Sequence, residues 1–92
     1  MQVKLYATLR ALAGVTTLEL PLADGATVRQ LAECLAEHCP ALAAQIFEPS
    51  GELSRRVHFM VDGRNSRWLP QGSETPLHSR QTLDVFPPAA GG

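Results

Sequence analysis

The chain has 92 residues, of which 45% are hydrophobic and 18% charged, with a formal net charge of −1. That length supports one small domain with a single core, and the composition is too apolar for a disordered chain. The near-neutral charge argues against a general nucleic-acid binder or a binder of acidic membranes, and no apolar run approaches the ~20 residues of a membrane span.

From Met1 to Tyr6 the sequence opens directly as a strand, without the basic-then-apolar pattern of a leader, so a cytoplasmic location is expected. Residues 3 to 8 alternate, placing Val3, Leu5 and Ala7 on one face and Lys4, Tyr6 and Thr8 on the other, as a half-buried strand does. Residues 9 to 13 predict one helical turn ending at Gly14. Alternation resumes from Thr16 through Leu18 and Leu20, a second strand broken by Pro21, and Asp24-Gly25 reads as a turn.

The period then changes. Thr27-Val28-Arg29-Gln30 fits a capping box, with the Thr27 hydroxyl and the Gln30 side chain each satisfying the other residue's backbone N–H. Val28, Leu31, Leu35 and Cys34 or Cys39 follow at helical spacing, and Pro40 closes the segment. Residues 41 to 47 predict a shorter helical turn through Leu42 and Ile46, broken by Glu48-Pro49-Ser50-Gly51.

Arg56 to Val61 predicts a third strand, with Val57, Phe59 and Val61 inward and His58 and Met60 outward. Asp62-Gly63 is a hairpin signal, because a type I′ turn needs positive φ at both central residues. Arg67-Trp68-Leu69 is the expected return strand, and Thr75-Pro76-Leu77 a turn into a last strand from Thr82 to Phe86. The order of strands, one main helix and more strands predicts an α+β fold, a mixed sheet packed on that helix.

Cys34 and Cys39 are five residues apart, neither a redox nor a metal-ligand spacing, and read as reduced structural thiols. His38, His58 and His78 are scattered and lack a partner motif, so no metal site is expected. No nucleophile elbow, phosphate loop or paired-carboxylate motif stands out, and the chain is not expected to catalyse by itself.

The last ten residues carry the functional signal: Leu83-Asp84-Val85-Phe86-Pro87-Pro88-Ala89-Ala90-Gly91-Gly92. Pro87 and Pro88 offer no backbone N–H and end the sheet ladder, and each biases its predecessor toward extended geometry. Six residues from Pro87 to Gly92 span at most ~20 Å. Ala89, Ala90, Gly91 and Gly92 carry almost no side chain, so the arm fits a narrow channel and takes whatever backbone shape the channel imposes. A terminal Gly pair alone arises by chance in roughly one chain in two hundred. A strand, two prolines and two small residues ahead of it make a built presentation of a carboxylate the better reading. Residues 1–86 are therefore expected to form the domain and 87–92 a flexible tail.

With that order and that tail, the sequence resembles the ubiquitin-like β-grasp sulfur carriers, among them the molybdopterin-synthase small subunit, the thiamin-pathway carrier and the carrier for cysteine biosynthesis. The matching motif is the hydrophobic strand, Pro-containing link and Gly-Gly of residues 83–92, together with the opening Val3-Lys4-Leu5-Tyr6-Ala7-Thr8-Leu9-Arg10. The longer stretch from Glu48 to Pro76, and His78-Ser79-Arg80-Gln81 in place of an acidic turn, bring it nearest the cysteine-biosynthesis or secondary-metabolite carriers.

The resemblance implies that the first and last strands lie side by side at the sheet centre. It implies an E1-like enzyme that uses ATP and magnesium to adenylate Gly92, a sulfide or persulfide donor that converts the adenylate to a thiocarboxylate, and a biosynthetic enzyme that accepts the sulfur. No cofactor bound by this chain is expected. Docking is expected at the exposed sheet face and the tail root, with Phe86, Trp68 and Met60 as an apolar patch and Arg55, Arg56, Arg64 and Arg67 as its rim. Two other uses of such a tail stand beside this one: a molybdopterin-synthase small subunit, and a protein modifier whose adenylate is captured by lysine.

Overall fold

Alternating burial at the start of the chain builds the first strand of the computed structural model, which describes residues 1–88. Val3 and Leu5 of β1 (Gln2–Leu5) are fully buried, while Gln2 and Lys4 face solvent. The expected strand is longer than the real one. Tyr6 is still extended, but its carbonyl accepts the N–H groups of Leu9 and Arg10, at 3.1 and 3.3 Å, and opens α1 (Ala7–Ala13). The helix buries Leu9; Ala7 and Thr8 are exposed, so Ala7 does not share the buried face of Val3 and Leu5. The sharp join places Ala7 at φ 50°, a left-handed conformation uncommon for a residue with a Cβ. Gly14 ends α1 in the left-handed conformation at φ 78°, as its position predicts.

β2 (Thr17–Glu19) pairs antiparallel with β1, and Leu20 just beyond it is buried. α2 (Val28–His38) is the main helix, and both hydrogen bonds of the Thr27–Gln30 capping box are made, at 3.1 and 2.8 Å. Its apolar stripe of Val28, Leu31, Ala32 and Leu35 lies on the sheet's inner face. Pro40 starts a 3₁₀ turn (Pro40–Leu42) that leads into the short α3 (Ala43–Ile46), from which Leu42 and Ile46 complete the core.

β3 (His58–Val61) keeps the predicted alternation, although Val57 packs into the core from just outside the strand. The Asp62-Gly63 turn has φ of 50° and 80°, both positive as the hairpin requires. The return strand differs from expectation. β4 is only Arg64–Asn65, and Ser66–Trp68 is a 3₁₀ turn rather than a strand. The Asn65 side chain accepts the Arg67 N–H at 3.0 Å, a local turn that outcompetes the ladder and lifts Arg67 and Trp68 off the sheet.

Thr75-Pro76-Leu77 is likewise an extended strap rather than a turn. Pro76 bridges Thr27, Leu77 exchanges hydrogen bonds of 2.7 Å with Gly25 and Ala26, and its side chain is buried. β5 (Leu83–Phe86) then enters the sheet between β1 and β3, giving the order β2-β1-β5-β3-β4. β1 and β5 are parallel and the other neighbours antiparallel, so the first and last strands do meet at the sheet centre.

Replacing Thr27 with alanine removes one half of the capping box and leaves the buried stripe intact. Stability should fall by about 1 kcal/mol, read as a melting temperature about 4–8 °C lower, with an unchanged far-ultraviolet spectrum after refolding.

Candidate functional site

β5 carries the chain to its exit. Leu83 and Val85 are buried, which turns Asp84 and Phe86 to the outer face of the sheet. Phe86 is the last strand residue, 36% exposed, and Pro87 and Pro88 follow, both half-buried. Ala89, Ala90, Gly91 and Gly92 lie outside the described residues.

The exit is held from the side by Tyr6. Its ring stacks on Phe86 with centroids 4.1 Å apart and planes 14° from parallel. Its hydroxyl donates to Asp84 Oδ1 at 2.8 Å, so one residue at the end of β1 grips two positions of β5. Lys4 stands opposite Asp84 across the parallel pair, with its ammonium 5.5 Å from the Tyr6 ring centroid. On the other flank His58 lies opposite Phe86, and Met60 opposite Asp84. A 3.0 Å hydrogen bond joins the His58 ring to the Asn65 amide.

The expected apolar patch is therefore only partly assembled. Phe86 and Met60 share the outer face as diagonal neighbours on β5 and β3. Trp68 does not join them: it sits in the 3₁₀ turn after β4, 74% exposed. Arg67 is in the same turn, donating from its guanidinium to the Arg55 carbonyl. Arg55, Arg56 and Arg64 are exposed. Tyr6 was not among the residues expected to act here. Its outward parity on the first strand, read together with a parallel first and last strand, would have placed it beside Phe86.

The thiols stand apart from this face. Burial, with Glu37 nearby, pushes the Cys34 thiol above its usual range, so it stays protonated and a poor nucleophile at neutral pH. His38 Nδ1 lies 3.0 Å from the Cys34 carbonyl oxygen and 3.6 Å from its sulfur. Among the described residues, no group of three or more His, Cys, Asp or Glu side chains is placed to hold a metal ion. No helix among them is long and apolar enough to cross a membrane.

A family profile described as the ThiS family matches residues 3–92. Small archaeal modifier protein 3 of Haloferax volcanii is 30% identical over 92 residues, covering 100% of this chain and 98% of that one. An Archaeoglobus fulgidus protein named for a sulfur-carrier role is 34% identical over 70 residues, covering 76% of this chain and 78% of that one. The solution structure of small archaeal modifier protein 1 from Methanosarcina acetivorans superposes with a TM-score of 0.83 at 34% identity, over 99% of this chain and 94% of that one. The shared architecture is the ubiquitin-like β-grasp.

The hydrogen bond to Asp84, with partial burial and the carboxylate's charge, raises the Tyr6 phenol above its ordinary value near 10. The folded state thus favours the neutral phenol. The stability this confers is fully present below the ordinary pKa and is lost as pH climbs through the raised one. Tyr6 is the only tyrosine, so phenolate absorbance reads it alone. Its midpoint should lie above that of the unfolded chain and return toward about 10 in the Asp84→Asn variant.

Proposed function

This chain belongs to the ThiS family, and from that premise we propose that it carries sulfur as a thiocarboxylate on the C-terminal carboxyl of Gly92. At the coarser level, it is a small ubiquitin-like protein of the modifier or sulfur-carrier kind. The observation that carries the finer reading is the exit of β5. A strand at the sheet centre ends at a clamped Phe86 and passes at once into two prolines and a run of small residues. That sequence at the end of a central strand supports the reading of a thin arm on a rigid base.

The chemistry follows from the carboxyl group. With a pKa of about 3.3–3.7 it is ionised at neutral pH and a poor electrophile. An E1-like partner brings ATP and magnesium, and a Gly92 carboxylate oxygen attacks the α-phosphorus, releasing pyrophosphate and leaving an acyl-adenylate. Sulfide or a persulfide donor attacks the carbonyl carbon and expels AMP; a persulfide adduct needs a thiol to cleave its S–S bond and free the thiocarboxylate. A biosynthetic acceptor enzyme takes the sulfur, and water restores the carboxylate. Gly91, Ala90, Ala89, Pro88 and Pro87 are the reach of the arm. Phe86 and Met60, with Tyr6, form the first surface a partner meets. The favoured acceptor pathway is of the cysteine-biosynthesis or secondary-metabolite kind, with a molybdopterin-synthase small subunit as the alternative.

A second reading is favoured by the full-length similarity to proteins named as modifiers. The same adenylate, attacked by a lysine amine instead of sulfur, gives an isopeptide conjugate. Intact-mass analysis after incubation with the activating enzyme, ATP and a sulfur donor separates the two. Exchange of one terminal oxygen for sulfur supports the carrier, whereas abundant lysine conjugates without that exchange support the modifier. Deleting Gly92 should leave the melting curve unchanged, because among the described residues the sheet pairing of β5 ends at Phe86 and a chain end contributes few buried contacts. It should abolish adenylate formation, and a normal rate from the truncated chain would sink the carrier reading.

The outer face has its own test. Phe86→Glu removes the stack on Tyr6 while leaving the buried face of β5 untouched. Its melting temperature should fall by less than about 5 °C, and its capture by the activating enzyme should weaken about tenfold or more. Global unfolding of this variant would show that the stack is structural.

A further inference from the structure

The end of the sheet where the tail leaves also carries a hollow, on the face opposite Tyr6 and Phe86. β5 ends where β3 begins, because His58 lies opposite Phe86. The segment just before β3 and the 3₁₀ turn after β4 meet there, tied by the hydrogen bond from Arg67 to the Arg55 carbonyl. Between them and α2 opens a half-enclosed hollow of about 350 Å³, within the range of about 300–1,000 Å³ typical of binding pockets. Leu53, Val57 and Phe59 form its apolar floor, and Arg29, Arg55 and Arg67 stand in its wall.

The three arginines are not equivalent. Arg29 is already engaged, donating to Glu33 at 3.3 Å and to the Gly51 carbonyl at 2.9 Å while packing over Phe47. It is a fixed part of the wall. Arg55 and Arg67 are exposed, and among the described residues no carboxylate lies within ion-pair distance of either. Glu52 is the one acidic residue in the lining. Next in the chain to Arg67 stands Trp68, a large aromatic left 74% exposed. Trp68 is not part of the lining, but arginines in the wall of a partly apolar pocket, with an exposed tryptophan one residue along the chain, resemble the composition of interaction hot spots.

We propose that this hollow is a second docking site, which takes an acidic segment of a partner protein: an apolar side chain on the floor, flanked by carboxylates that pair with Arg55 and Arg67. An apolar floor inside a cationic wall fits that pattern better than a lone inorganic anion, which would leave the floor uncovered. Contact at the hollow and contact at the Phe86 face fall on opposite sides of the sheet beside the same exit. A partner that grips both fixes the direction in which the arm enters its active site. The hollow's place beside a working arm rests on the carrier-or-modifier reading, but binding at the hollow does not.

The test uses the intact, unactivated protein and a blocked pentapeptide with a central leucine flanked on each side by two glutamates. Trp68, the only tryptophan, reports binding by its fluorescence. The expected result is a saturable change, weakened about tenfold by Arg55→Glu. Arg10→Glu makes the same charge change away from the hollow and should shift affinity less than about twofold. A peptide with glutamine in place of glutamate should bind at least about tenfold more weakly. Melting curves of both variants report whether the fold is kept, and Arg67→Gln supplies a second substitution in the wall. Equal binding of the two peptides, equal effects of the two charge reversals, or no saturation would overturn the proposal. Saturable binding of pyrophosphate with no peptide response would overturn it in favour of a small-anion site. Because no step involves Gly92, a failure here leaves the sulfur chemistry standing, and a failure of that chemistry leaves the peptide result readable.

Discussion

The parallel pairing of β1 with β5 is the constraint on which the rest depends. Lys4 stands beside Asp84 and Leu5 beside Val85, so the two ends of the sequence meet in the middle of the sheet. A parallel pair requires a long crossover, and everything between these strands, α2 included, is that connection. Leu5 and Val85 are fully buried beneath it. A central strand has hydrogen-bonded neighbours on both sides, which holds β5 rigidly up to Phe86.

From that pairing follows a division between the two faces. The inner face holds the apolar stripe of α2, the fully buried Leu42 and Ile46, and a thiol whose raised pKa keeps it out of nucleophilic chemistry. The outer face is held by polar and aromatic contacts instead: the Tyr6 hydroxyl on Asp84, the Tyr6 ring on Phe86, and the His58 ring on Asn65. These contacts hold the end of β5 while leaving Phe86 36% exposed.

Charge is distributed with the same asymmetry. The formal net charge of −1 averages over the chain, but Arg55, Arg56, Arg64 and Arg67 crowd one stretch that contains a single acid, Asp62. The hairpin and the 3₁₀ turn fold two of these arginines into one wall at the tail end of the sheet. A near-neutral total therefore excludes a broad polyelectrolyte surface, but it says nothing against a local cationic hollow.

The sequence by itself determined the periodic and capped elements. The Thr27–Gln30 box, the α2 stripe, the alternation at Val57, Phe59 and Val61, the Asp62-Gly63 turn and Gly14 all rest on interactions within a few residues, so local pattern suffices to read them. The strand-breaking Pro87-Pro88 was legible for the same reason, and β5 does end at Phe86. Tertiary structure decided where local preferences are balanced. Residues 7 and 8 alternate like strand but become helix: the chain turns at Ala7, φ 50°, and α1 buries Leu9 while Ala7 and Thr8 stay exposed. Arg67-Trp68 reads like strand but forms a 3₁₀ turn, from which Arg67 reaches across to the Arg55 carbonyl. Tyr6 beside Phe86, and Arg55 beside Arg67, are neighbours only through pairings that span most or part of the chain. Such contacts depend on strand order and register, which no local period encodes, and so the groups that shape the root of the tail and the hollow became visible only in the folded molecule.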